Sequence, residues 1–196
     1  KLEKALGISY TNWMSLHAGY LYDCKAIEEK KNEELKALDF ENACSDMFNL
    51  KALYKRLDMS LMPCVDRVAQ LKGMLSFDLL SAEHLRLQVA GLYKHSEKVQ
   101  IDEKNMLTWL ILNKIEIDKT PGLRTKYNEG DAKKAACDLS ELANRGCLSV
   151  GAIKELLNRY GIQYIHVENI DKTPIDAFST IVNEHPVITV TYRYND

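Results

Sequence analysis

Residues 153–196 read IKELLNRYGIQYIHVENIDKTPIDAFSTIVNEHPVITVTYRYND, and within this stretch the hydrophobic period changes. Up to Arg159 the apolar residues Ile153, Leu156 and Leu157 recur at the spacing of one helix face. After Gly161 the spacing shortens to that of a strand. Strands are predicted in IQYIHVENI (162–170), DAFSTIVN (176–183) and VITVTYRY (187–194). In the last of these Val187, Thr189, Thr191 and Arg193 alternate with Ile188, Val190, Tyr192 and Tyr194. A helix over 149–159 precedes them and stops at Tyr160-Gly161, as glycine permits.

Upstream, the periodicity is helical throughout. Ser9 can cap a helix over about 10–38, whose apolar face runs through Trp13, Leu16, Tyr20, Cys24, Ile27, Leu35 and Leu38, interrupted by Lys31. Such a helix is roughly 40 Å long at 1.5 Å per residue. One small domain cannot cover it, so part of it is expected to pack on a second chain or to bridge two modules. The EEKKNEE stretch reads as its solvated face. Residues 39–92 continue as short helices: NLKALYKRL puts Leu50, Leu53, Tyr54 and Leu57 on one side, Pro63 opens the next, and Phe77 and Leu80 anchor a turn. A second block opens at Ile101-Asp102, with Met106, Leu107, Leu110, Ile111 and Lys114 or Ile115 on the buried side around Trp109. Pro121-Gly122 and Asn128-Glu129-Gly130 break it. A further helix carries Ala132, Ala135, Ala136, Leu139 and Leu142 and ends at Gly146. Helices first and strands last define a predominantly α-helical α+β fold. The division expected is 1–38, a helical 39–128, and 129–196.

The totals bound the function. Of the 196 residues 46% are apolar, enough for a packed core, and the net charge is −2. That balance argues against the chain being by itself a strongly basic nucleic-acid binder. The five cysteines, Cys24, Cys44, Cys64, Cys137 and Cys147, are widely spaced without a C-x-x-C pair. They read as small buried hydrophobes in a reducing cytoplasm. No apolar run reaches membrane-spanning length, so no membrane partner is expected.

Catalytic patterns are sparse. The histidines His17, His84, His95, His166 and His185 form no H-x-x-x-H. Only His166 and His185, on or beside predicted strands, could converge. Cys64 and Cys147 lie near helix starts, where a thiolate is favoured, but neither has a histidine close in sequence. Phosphate loops and nucleophile elbows are missing. The residues alone describe a scaffold.

Two stretches carry a likeness to known families. LEKALGISYTNWMSLHAGYLYD (2–23) resembles the end of the helix-turn-helix domain of HigA-type antitoxins, with Leu2, Leu6, Gly7, Trp13, Leu16 and Tyr20 at the positions of that pattern. The resemblance implies that the Trp and Tyr helix packs under the DNA-reading helices and extends toward a partner subunit. Trp13, His17, Tyr20, Cys24 and Ile27 are then interface candidates, in a homodimer that meets DNA through a part preceding Lys1. Residues 153–196 look like the start of an ImmA/IrrE-type metallopeptidase module, a small zincin-like α/β unit of about three strands. In that family an H-E-x-x-H helix follows, in which two histidines hold zinc and the glutamate is general base. The likeness places Ile188, Val190, Tyr192 and Tyr194 on the sheet face beside that helix, and leaves this face without cover here. Between the two, GLYKHSEKVQIDEKNMLTWLILNKIEID (91–118) resembles the helical linker joining such modules, through Ser96, Trp109 and Leu110.

The chain is accordingly expected to be an excerpt of a longer bacterial protein of the antitoxin-like regulator kind, supplying dimerisation and a peptidase-like sensing module. One alternative is a zinc-dependent endopeptidase that cleaves a repressor or toxin partner, with its zinc helix beyond Asp196. Another is a non-catalytic interaction scaffold. Neither zinc nor any other cofactor is expected in these residues; zinc belongs to the longer protein that the resemblance implies.

Overall fold

The computed structural model describes residue 4 and residues 7–75, 93–95, 102–173 and 175–191, with backbone alone for 93–95. Leu2, Leu6, Phe77, Leu80, His84, Ser96, Ile101, Tyr192 and Tyr194 lie outside the described residues. Helix α1 (Tyr10–Met47) is followed by α2 (Leu50–Arg56), α3 (Cys64–Met74), strand β1 (Tyr93–His95), α4 (Glu103–Lys119), α5 (Asp131–Asn144), α6 (Val150–Arg159), β2 (Gln163–His166), β3 (Ile175–Val182) and β4 (His185–Val190). The chain adopts the expected predominantly helical α+β fold. Its sheet is four-stranded in the order β1-β3-β4-β2, because the short β1 joins the edge of β3.

The centre is α4. Asp102 caps it by accepting from the Asn105 amide at 3.0 Å, and the buried set Leu107, Trp109, Leu110, Ile111, Leu112, Ile115 and Ile117 covers most of its circumference. A helix apolar on nearly all sides must be enclosed. On one side it meets Cys44, Phe48, Leu53, Tyr54, Met59 and Leu71 from the helices; on the other it meets Ile165, Ile175, Phe178 and Val187 from the sheet. Trp109 is fully buried, with its ring edge-on to Phe178 at a centroid distance of 6.3 Å. The wider buried side, compared with the single stripe read from the sequence, follows from this enclosure.

Two buried amides of α4 are paired across elements, while the Trp109 indole N–H and the Thr173 hydroxyl are buried without a partner. Asn105 donates to the Asp171 carbonyl at 2.7 Å and accepts from the Asn49 side chain at 2.7 Å, so one amide ties α2, α4 and the loop before β3. Asn113, buried on the sheet side of α4, accepts from the Thr189 hydroxyl at 2.7 Å. Buried amides left unpaired would each cost about 1–3 kcal/mol, so these bonds fix how the sheet seats on α4.

The sheet is mixed. β3 and β4 form an antiparallel hairpin, while β2 runs parallel to β4 with Gln163 beside Val187 and His166 beside Val190. Asn183 and Glu184, between Val182 and His185, both have positive φ, as a two-residue hairpin turn matching the strand twist requires. Alternation along β2 sends Ile165 to the α4 core and Tyr164 to a second cluster formed by Ala135, Leu156, Leu157 and Ile162. Ile188 and Val190 pack against that second cluster and are partly buried. The face expected to lie bare is therefore partly covered, by α5 and α6 of the same chain. Gly161 starts this layer with φ +69°, and a Cβ there would come within 2.6 Å of the Tyr127 amide nitrogen.

Helix α1 is continuous to Met47, longer than the apolar stripe read from the sequence. Its last third is fixed to the body by Glu41. The carboxylate accepts from Arg67 Nε at 2.9 Å and Nη2 at 3.1 Å, and from the Tyr54 hydroxyl at 2.8 Å. Burial opposes ionisation of Glu41, but the hydrogen bonds from Arg67, Tyr54 and Cys64 outweigh it and hold the carboxyl below its ordinary value. The same burial and the bond to Glu41 push the Tyr54 phenol up.

Two outcomes are expected from this packing. Glu41→Gln removes one partner of a largely buried pair and should lower unfolding free energy by about 2–4 kcal/mol in urea titrations at neutral pH. Because the folded carboxyl is the stronger acid, its contribution is complete above the ordinary glutamate range near pH 4.3. The contribution disappears as pH falls through the lower folded value, so wild type and Glu41→Gln should converge in stability in acid. Separately, Gly161→Ala combines a left-handed residue with a backbone collision and should cost at least about 2 kcal/mol, measured the same way.

Candidate interaction surface on the projecting helix

Ser9 caps α1 as the sequence indicates, its hydroxyl accepting from the Asn12 amide at 3.3 Å. From 14 to 36 every residue of the helix is exposed, and burial begins only at Ala37 and Cys44. The N-terminal part therefore projects from the body over roughly 35 Å. Exposed apolar side chains are normal one at a time, but here they are concentrated: Tyr10 at 66%, Leu16 at 60%, Tyr20 at 64% and Ile27 at 56%, with Met14 and Leu21 alongside.

Most of them lie on one side of the helix, with Tyr22, 75% exposed, on the opposite side. Trp13, His17, Tyr20, Cys24 and Ile27 follow one another at alternating steps of four and three, and Leu35 and Leu38 continue the same side. At about 100° per residue this side lies roughly a third of a turn from the face of Ala37 and Cys44 that meets α3. The Lys25 to Glu29 ion pair, 3.9 Å apart, lies off the stripe. α1 thus has two apolar faces. The body uses one, near the C-terminal end, and leaves the other open.

Of the residues singled out in the sequence, His17, Tyr20, Cys24 and Ile27 are exposed on this stripe, while Trp13 is partly buried. Met14 and Leu21, one heptad apart at its edge, were not singled out; their spacing was the available signal. The strand set is divided, with Ile188 and Val190 packed in the body and Tyr192 and Tyr194 outside the described residues.

His166 and His185 do not converge. His166 and His185 stand at opposite ends of the β2–β4 ladder, and His185 Nδ1 lies 3.1 Å from the Gly161 carbonyl oxygen. No group of three or more His, Cys, Asp or Glu suited to a metal occurs among the described residues. Cys64 sits in the first turn of α3, yet burial, and then its bond to Glu41, raise the thiol above its ordinary value. A helix start alone does not make it a thiolate.

A cleft of about 380 Å³ lies between the end of α4 and the β3–β4 turn, lined in part by Asp118, Lys119, Thr120, Gln163, Asn183 and His185. Its residues make no recognisable catalytic set. No described helix is long and apolar enough to cross a membrane.

No protein-family model, curated protein or solved structure matches the chain. The surface must be interpreted from its own chemistry.

Accessibility of the thiols is directly measurable. Of the five cysteines read as buried hydrophobes only Cys44 is buried; Cys64 is half-buried, and Cys24, Cys137 and Cys147 are exposed, because they fall on outward faces of their helices or in the turn after α5. Ellman's reagent should modify Cys137 and Cys147 within minutes in the folded protein, and Cys44 only after denaturant is added.

Proposed function

We propose that the chain is the subunit-joining part of a DNA-binding transcriptional regulator of the antitoxin kind, in which α1 brings two copies together. The observation that carries this reading is the apolar stripe of α1, exposed along a helix that extends clear of the body. A helix without tertiary contacts is marginal in water, because most helical stability in proteins comes from burying an amphipathic face. A second copy of the same helix offers a matching apolar row, and taking these exposed side chains out of water against it is the favourable term for association. Trp13 and Tyr20, which the antitoxin likeness assigns to core and interface, fall on this surface.

The α+β body is then the peptidase-like sensing module of the same regulator. Its support is the order of α6, β2, β3 and β4, which is the order of helix and strands in the ImmA/IrrE likeness. DNA contact belongs to residues outside this chain, in keeping with its net charge of −2.

Sedimentation equilibrium tests the joining role. At micromolar concentration the chain should have the mass of a dimer. Tyr20→Lys combined with Ile27→Lys should give a monomer that keeps the near-ultraviolet circular dichroism of the folded body. A monomeric wild type, or a dimer indifferent to those substitutions, would refute the reading.

A further inference from the structure

We infer, resting on the self-association proposed above, that the two α1 helices pack antiparallel, with the symmetry point between Lys25 and Ala26. The two orientations set different residues against one another along the stripe. Trp13, Tyr20, Ile27 and Glu34 form one row of it, and His17, Cys24, Lys31 and Leu38 the other, at heptad spacing.

In a parallel pair every layer sets a residue against its own copy. Lys31 would face Lys31 and Glu34 would face Glu34, within the contact. Along the flank Asp23 would stand beside the partner's Glu28. Like charges so placed are destabilising, and the charged middle of α1 would be repelled three times over.

Reversing one helix turns these conflicts into matches. About a centre between Lys25 and Ala26, Cys24 shares a layer with the partner's Ile27 and Tyr20 with the partner's Lys31. His17 shares one with the partner's Glu34 and Trp13 with the partner's Leu38. Lys31 then lays its alkyl stem and ammonium against an aromatic ring, and Glu34 meets an imidazole. On the flanks Asp23 reaches the partner's Lys30 and Met14 lies beside the partner's Leu35. The interruption of the stripe by Lys31 is thus part of the contact, because it makes the stripe complementary to its own reverse.

This arrangement draws on the exposed turns from 14 to 36 and on Leu38, with Leu35 and Leu38 58% and 49% exposed and Trp13 partly buried at one end. On one flank the contact ends at Lys30, because Ala37, the next residue of the Asp23 and Lys30 row, is buried; the partner's N-terminal turn meets Leu38 from the other flank, beside Leu35. The two bodies end up at opposite ends of the paired helices.

Two measurements on the full chain decide the orientation, both with Cys24→Ser, Cys137→Ser and Cys147→Ser as background. First, Leu38→Cys is treated with diamide and the mass read under non-reducing conditions. In the antiparallel pair the two substituted positions are roughly 37 Å apart along the axis. A disulfide needs Cα atoms within about 4.4–6.8 Å, so no rapid covalent dimer is expected. In a parallel pair the same positions share a layer and cross-link readily.

Second, Asp23→Lys should raise the dimer dissociation constant about threefold to tenfold, and adding Lys30→Asp should return it to within about twofold of the background value. Rapid Leu38→Cys cross-linking, or tighter or unchanged association on Asp23→Lys, overturns the antiparallel arrangement while leaving self-association standing. A wild-type chain that is monomeric removes the joining role itself.

Discussion

The enclosure of α4 is the constraint on which the rest of the structure depends. A helix with Trp109, Leu110, Ile111, Leu112 and Ile115 all buried leaves only a narrow strip, with Lys114 and Asp118, to water, so two layers must close over the rest. Each large side chain taken out of water contributes about 1.5–3 kcal/mol. The short helices α2 and α3 close one side and the sheet closes the other. The Asn113–Thr189 and Asn105–Asp171 hydrogen bonds then select a single seating among the many that apolar contact alone would allow.

That enclosure explains why α1 has an open face. The helical side of the α4 core is completed by Cys44 and Phe48 at the end of α1, and Glu41 locks this end to Arg67 and Tyr54. Nothing further is needed to close the core, so the earlier turns of α1 have no surface of the body to lie on. The helix is unbroken from Tyr10 to Met47, so the stripe continues directly from the clamped end.

Element types were legible wherever one period dominated. The change after Gly161, the cap at Ser9, the breaks at Pro63 and Gly146, and the helix around Trp109 could each be read from local pattern. The extent of α1 could not, because its apolar side changes near Leu38: residues on one side of the helix serve the stripe, and Ala37 and Cys44 on another serve the core. The Glu41–Arg67 pair was equally hidden, since twenty-six positions separate them and nothing local distinguishes Glu41 from the acidic residues of EEKKNEE. Of the candidate surface, the row from Trp13 to Ile27 was readable because it is periodic. The packing of Ile188 and Val190 was not, because β4 alternates equally well whether or not a helix covers it.

Local sequence by itself determined which segments are helical and which extended, since those choices follow from hydrophobic period, capping residues and glycine, all acting within a few positions along the chain. Only the tertiary structure decided which faces meet. Strand β1 joining the edge of β3, β2 lying parallel beside β4, and α5 and α6 covering Ile188 and Val190 depend on burial between residues far apart in the chain, where many pairings satisfy the same pattern and complementary volume and hydrogen bonding select one.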